Sequence, residues 1–71
     1  MTSEEKLRLL QSEIDSVAEA TLATPLASLP DWGSLSILLV IVHFEEKHKL
    51  AVTGAQVRAC RTVGDLLALI P

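Results

Sequence analysis

The sequence predicts an all-α fold: a small bundle of three main helices plus one short helix, in a single domain over residues 1–71. Three observations carry this reading. Apolar residues recur at helical spacing near the start of the chain, and a long segment without a turn residue follows a loop punctuated by Pro and Gly. Two Thr-x-x-acid patterns also stand where helices would begin. A hydrophobic content of 49% is how so short a chain supplies itself with a core.

Taken in order, Thr2 and Glu5 match a capping box, and Leu7, Leu10, Ile14, Val17 and Thr21 then form one stripe, with Glu4, Arg8, Gln11, Asp15 and Glu19 away from it. This predicts a first helix from about Ser3 to about Leu22. The stretch ATPLASLPDWG follows, and its prolines and glycine forbid regular structure. Leu26, Leu29 and Trp32 are too apolar to stand in water, so the loop is expected to lie on the bundle, with Trp32 packing it there. Pro30, Asp31 and Gly33 then make a turn, and Ser34 is placed as the N-cap of the second helix. Ile37, Val40, Ile41 and Val42 are β-branched and would suit a buried strand. Length decides for a helix, because no turn residue occurs from Ser34 to about His48, and Lys47 and Lys49 lie where a helix dipole favours cations. KLAVTG reads as a short extended link and Ala55 to Cys60 as a turn or two of helix. A second capping box, Thr62 with Asp65, opens a last helix through Val63, Leu66, Leu67 and Ile70. The expected core is Leu7, Leu10, Ile14, Val17, Leu38, Ile41, Phe44, Val63, Leu66 and Ile70, with Val57 bridging from the short helix.

Composition removes several function classes. The net charge of −3 and the scattered Lys and Arg argue against nucleic acid, which needs several phosphate-neutralising cations on one face. One cysteine, Cys60, permits no internal disulfide, and the default compartment is a reducing cytoplasm. The N-terminus carries acids where a signal peptide carries Lys or Arg, and the apolar run Leu35 to Phe44 is about half of the roughly twenty residues a membrane span needs. The expectation is a soluble cytoplasmic monomer. His43 and His48 sit about 140° apart around a helix, so they read as surface histidines that share no metal ion. Both lie turns away from Ser34, which leaves that hydroxyl without a base and the chain without catalysis of its own. Cys60, near Val57 and Val63, reads as a small buried hydrophobe.

Ser34 at the mouth of a helix would stand beside unpaired backbone N–H groups and the positive end of the dipole, surroundings suited to a phosphate ester on its oxygen. With that serine, the order of elements resembles the acyl carrier protein family over nearly the whole chain. Gly33, Ser34 and Leu35 fall on the family's Asp-Ser-Leu motif, Glu45 and Glu46 on its acidic pair, Leu50 and Val52 on its apolar positions after the second helix, and Thr62, Val63 and Asp65 on the start of its last helix. The resemblance implies that a phosphopantetheinyl transferase attaches 4′-phosphopantetheine covalently to Ser34. The arm then carries acyl intermediates as thioesters between ketosynthase-, acyltransferase- or acyl-ligase-type enzymes. Two departures stand out. Gly33 replaces the acid before the serine, and the outward face of the second helix is expected to read Leu35, Ser36, Leu39 and Val42 before reaching Glu45 and Glu46. Leu35, Leu39, Val42, Glu45 and Glu46 are therefore the expected partner-binding residues, for partners that recognise apolar surface more than charge. This looks like a specialised carrier of polyketide-like or fatty-acid-derived biosynthesis. A peptidyl or aminoacyl carrier is its neighbour, and a carrier-shaped interaction module that is never modified is the reading from another class.

Overall fold

Local hydrogen bonds at helix starts organise the chain, which the computed structural model describes over all residues 1–71 and shows to be all-α. Thr2 Oγ1 accepts from the Glu5 N–H at 3.1 Å while the Glu5 carboxylate accepts from the Thr2 N–H at 3.0 Å, and α1 (Ser3–Glu13) follows. The helix stops well short of the expected Leu22. Ile14 is extended (φ −126°, ψ 110°), and Asp15–Val17 form a 3₁₀ turn instead. Ile14, Asp15, Ser16 and Val17 combine β-branching with side chains that compete for backbone hydrogen bonds, a poor sequence for continuing a helix. Gln11 stabilises the exit: its Nε2 donates to the carbonyls of Val17 (3.2 Å), Ala18 (3.3 Å) and Ala20 (3.1 Å). Ile14 and Val17 are nevertheless buried, so the apolar stripe persists where the helix does not.

The long loop lies on the bundle as expected, with Leu26 and Leu29 buried and Trp32 half-buried against the core. Its backbone is pinned to the junction before the last helix. Leu26 N–H donates to Arg61 O (2.9 Å), Val63 N–H to Thr24 O (3.0 Å) and Gly64 N–H to Leu22 O (2.8 Å). The last contact explains the glycine, since a Cβ at Gly64 would sit 2.9 Å from the Leu22 carbonyl oxygen.

Helix α2 (Ser34–His48) is closed by Lys49 in the left-handed region (φ 55°), whose N–H returns to the carbonyls of Phe44 and Glu45. It buries Ser36, Ile37, Val40, His43 and Phe44. Its rotation differs from the expected one: Leu38 is 54% exposed and Ile41 only half-buried, while Ile37 and Val40 take the core positions. Nor does Ser36 belong to the outward face. A segment that is apolar on nearly all sides gives periodicity nothing to discriminate with, and the two polar side chains within it are turned inward by partners described below.

The surface placement of the histidines is likewise overturned. His43 is 1% exposed and His48 half-buried, and their rings meet edge-on with centroids 5.6 Å apart despite their angular separation on the helix. His43 Nδ1 lies 3.3 Å from one oxygen of Glu13 and Lys47 Nζ lies 3.1 Å from the other, so the last residue of α1 is tied to the end of α2. Burial, reinforced by His43 and Lys6, pushes the His48 pKa below its ordinary 6.5. The bonds from His43 and Lys47 hold the Glu13 carboxyl below the usual carboxylate range.

Helix α3 (Gly54–Ala59) opens with a third capping box: Gln56 N–H donates to Thr53 Oγ1 (3.1 Å) and Thr53 N–H to Gln56 Oε1 (2.8 Å). Helix α4 (Val63–Leu67) opens with the expected Thr62–Asp65 box but is only five residues long, with Ile70 buried just beyond its end, so the all-α bundle has two long and two short helices where three main helices and one short one were expected. Cys60 is half-buried rather than fully enclosed.

Two measurements check this packing. Phe44→Ala, at a fully buried site, is expected to cost about 3–5 kcal/mol, whereas Leu38→Ala should fall within about 0.5 kcal/mol of wild type; under the rotation expected from sequence, the urea midpoint of Leu38→Ala would fall along with that of Phe44→Ala. For pH, the unfolded chain protonates His48 near 6.5 while the folded chain resists. Stability is thus fully present above that pH and falls as pH drops below it toward the depressed folded value. Glu13, also lowered, adds a further loss below about 4.5. Urea midpoints measured from pH 7.5 to 5.5 should decline in wild type and decline less in His48→Gln.

Candidate functional site

The turn before α2 brings the candidate serine to the surface by a chain of backbone choices. Asp31 is left-handed, with φ 55°, which a residue with a side chain adopts at a cost. Gly33 is not: at φ −174° and ψ −156° it is extended, and a Cβ built on it would meet nothing within 4 Å. Gly33, not Ser34, occupies the N-cap position, and Ser34 is the first residue of α2. Lacking a side chain, Gly33 caps nothing, and no acid stands in the first turn. The Ser34 side chain is exposed and makes no hydrogen bond within the chain, next to backbone N–H groups that no side chain caps.

Ser36 does the opposite. It is 4% exposed, its Oγ donates to the Asp31 carbonyl at 3.0 Å, and it stands 3.4 Å from Ser16 Oγ. The turn, the start of α2 and the 3₁₀ segment after α1 therefore meet at one buried hydroxyl.

From Ser34 an apolar stripe runs up the outer face of α2. Leu35 is 69% exposed, Leu39 42% and Val42 44%, and Leu38 joins them, giving the i, i+3, i+4, i+7 spacing of one helix face. Glu45 and Glu46, both exposed, continue the same face about 17 Å along the axis from Ser34. The structure thus brings together all five expected partner-binding residues and adds Leu38, which a core assignment had hidden. No charged residue lies between Asp31 and Glu45.

Ser34 has no activating partner: His43 is about 14 Å further along the helix and buried against Glu13. Cys60 is equally unsuited to attack, because burial and the Asp65 carboxylate push its thiol pKa up and its Sγ–H donates to the Gln56 carbonyl at 3.4 Å. An open groove floored by Leu26, Trp32, Val57 and Cys60 and edged by Arg58 and Arg61 flanks the loop, with no nucleophile and base converging in it. What the arrangement offers chemically is an exposed alcohol at a helix N-terminus, able to accept a group transferred by another protein. No protein-family model, curated protein or solved structure matches the chain.

The open space at Gly33 makes a direct prediction. Gly33→Asp places a carboxylate at the N-cap, where it accepts from the first-turn N–H groups and faces the positive end of the dipole, and should stabilise the fold by about 0.3–1 kcal/mol. A lowered melting temperature would show that glycine is required there for backbone reasons.

Proposed function

We propose that the protein is a carrier that holds acyl intermediates on a 4′-phosphopantetheine arm esterified to Ser34. The observation that carries the reading is the exposed, unbonded Ser34 hydroxyl on the first turn of a fifteen-residue helix whose outer face is an apolar stripe ending in two acids. The residues fit the group: an uncapped N-terminus with no acid in its first turn suits a phosphodiester, and the exposed oxygen is free to form the bond. When bound, the arm supplies a thiol that carries acyl groups as thioesters. In the transfer, a new bond would join Ser34 Oγ to the pantetheine phosphorus as the diphosphate bond of coenzyme A breaks and adenosine 3′,5′-bisphosphate leaves. The transferase removes the hydroxyl proton, since this chain offers no base.

The stripe gives the carrier its docking face. Leu35, Leu38, Leu39 and Val42 suit an enzyme surface with an apolar strip, and Glu45 and Glu46 suit cations at one end of that strip, which fixes the direction of approach. Ketosynthase-, acyltransferase- and acyl-ligase-type enzymes of a polyketide-like or fatty-acid-derived pathway are the partners proposed, with the protein non-catalytic and cytoplasmic. The same stripe also favours a second reading, an interaction module that is never modified.

Intact mass after incubation with coenzyme A and a broad-specificity phosphopantetheinyl transferase separates the two. The carrier gains one arm and Ser34→Ala gains none; no gain in wild type selects the module. Gly33→Asp should accelerate the transfer several-fold, because the added carboxylate beside the nucleophile improves steering toward a basic transferase surface. An unchanged or slower rate in a stably folded variant would remove the electrostatic account of that position.

A further inference from the structure

The conformation that presents Ser34 is held at Asp31, three residues before it. Asp31 is one of two non-glycine residues with positive φ; the other, Lys49, closes α2 in the ordinary manner of a helix end. Asp31 lies inside a turn whose next residue, Trp32, packs half-buried against the core. The Trp32 N–H reaches the Leu29 carbonyl only at 3.4 Å, and no side chain caps the helix at Gly33, whose carbonyl accepts from the Ile37 N–H at 3.0 Å. The Asp31 carbonyl is itself held by a side chain: Ser36 Oγ, on the first turn of α2 and almost wholly buried, donates to it at 3.0 Å.

That bond has a geometric consequence. Asp31 and Ser36 flank Ser34, so a link between them closes a short loop around the nucleophile and fixes how the extended Gly33 delivers the chain into the helix. Ser36 is itself braced from below by Ser16 Oγ at 3.4 Å, which connects the loop to the segment after α1. A serine here also costs core volume, since the neighbouring buried positions of α2 are apolar. Its retention of a hydroxyl is accounted for by the carbonyl it holds.

We infer that Ser36 is a positioning residue: through the Asp31 carbonyl it holds the left-handed turn that presents Ser34 to the phosphopantetheinyl transferase. This rests on the carrier reading above, and it assigns Ser36 a role distinct from that of Ser34, which alone takes the arm. Without the hydroxyl, Asp31 relaxes toward the β region, the 31–33 segment swings, and Ser34 is offered in many orientations instead of one.

The test uses the full chain at a temperature where circular dichroism shows every variant fully folded. Ser36→Ala should lower kcat/KM for arm transfer about tenfold and speed hydrogen exchange at the Trp32 amide. In an Asp31→Gly background, where positive φ carries no cost and the carboxylate is absent from both proteins compared, Ser36→Ala should lower the rate by less than about twofold; a merely structural role for Ser36 predicts the same loss in both backgrounds. Ser16→Ala breaks only the brace and should transfer at nearly the wild-type rate. Equal transfer rates for wild type and Ser36→Ala would overturn the positioning role while leaving the carrier reading intact, and so would a loss from Ser36→Ala that persists in full in the Asp31→Gly background. A wild type that accepts no arm would overturn the carrier reading, and with it the presentation role. The exchange rate at Trp32 would then decide separately whether Ser36 clamps the turn.

Discussion

The rotation of α2 about its own axis is the constraint on which the rest of the molecule depends. From Leu35 to Phe44 this helix is apolar on nearly all sides, with only Ser36 and His43 polar, so area burial alone leaves several settings nearly equivalent. Two directional bonds break the tie, one near each end. Ser36 reaches the Asp31 carbonyl and His43 reaches the Glu13 carboxylate, and both side chains must lie inside to do so. Once they are inside, Ile37, Val40 and Phe44 follow them into the core, and Leu35, Leu38, Leu39 and Val42 are carried outward. A hydrogen bond of ordinary strength contributes only about 0.5–1.5 kcal/mol net, yet leaving either buried group unpaired would cost more, and that asymmetry makes the setting selective.

The remaining elements serve this helix. Helix α1 ends at Glu13, where the carboxylate meets both His43 and Lys47, so the early end of the helix places the acid that anchors α2. The segment beyond it could not have stayed helical and still put Ser16 under Ser36 while Gln11 gathered the carbonyls of Val17, Ala18 and Ala20. The loop is then held at its other side by the contact of Leu22 with Gly64. Short helices α3 and α4 are marginal on propensity alone, and each depends on a capping box to start where the loop needs them.

Much of this was legible in the sequence because it is local. The boxes at Thr2 and Thr62, the loop that lies down on Leu26 and Leu29, and the exposed serine at the head of the apolar helix all follow from residues a few positions apart. The Thr53–Gln56 box carries the same signal with Gln in place of an acid. What depended on distant partners was not legible. Nothing near Ser36 or His43 in sequence shows that Asp31's carbonyl and Glu13 wait for them, and polar residues on an apolar helix are by default assigned outward. That default puts Leu38 in the core and His43 on the surface, and leaves Ile41 at the edge of the core it was expected to fill; Ser34 is expected at the cap for a separate reason, serine's preference for that position, and Gly33 occupies it.

The same constraint bears on how a partner would use the outer face. Because the buried bonds of Ser36 and His43 hold α2 in place, the exposed leucines are a fixed feature of the fold and cannot be withdrawn by a small roll of the helix. From Leu35 to Val42 the stripe is only about 10 Å long. An apolar strip of that length, with its two acids beyond, suits the small footprint of transient interfaces better than the larger apolar surfaces of permanent ones. Apolar contact gives such an encounter affinity that salt hardly screens, and Glu45 with Glu46 gives it a direction. Brief, oriented contact is what a carrier needs if it must leave each enzyme with its cargo, and it agrees less well with a module whose purpose is to stay bound.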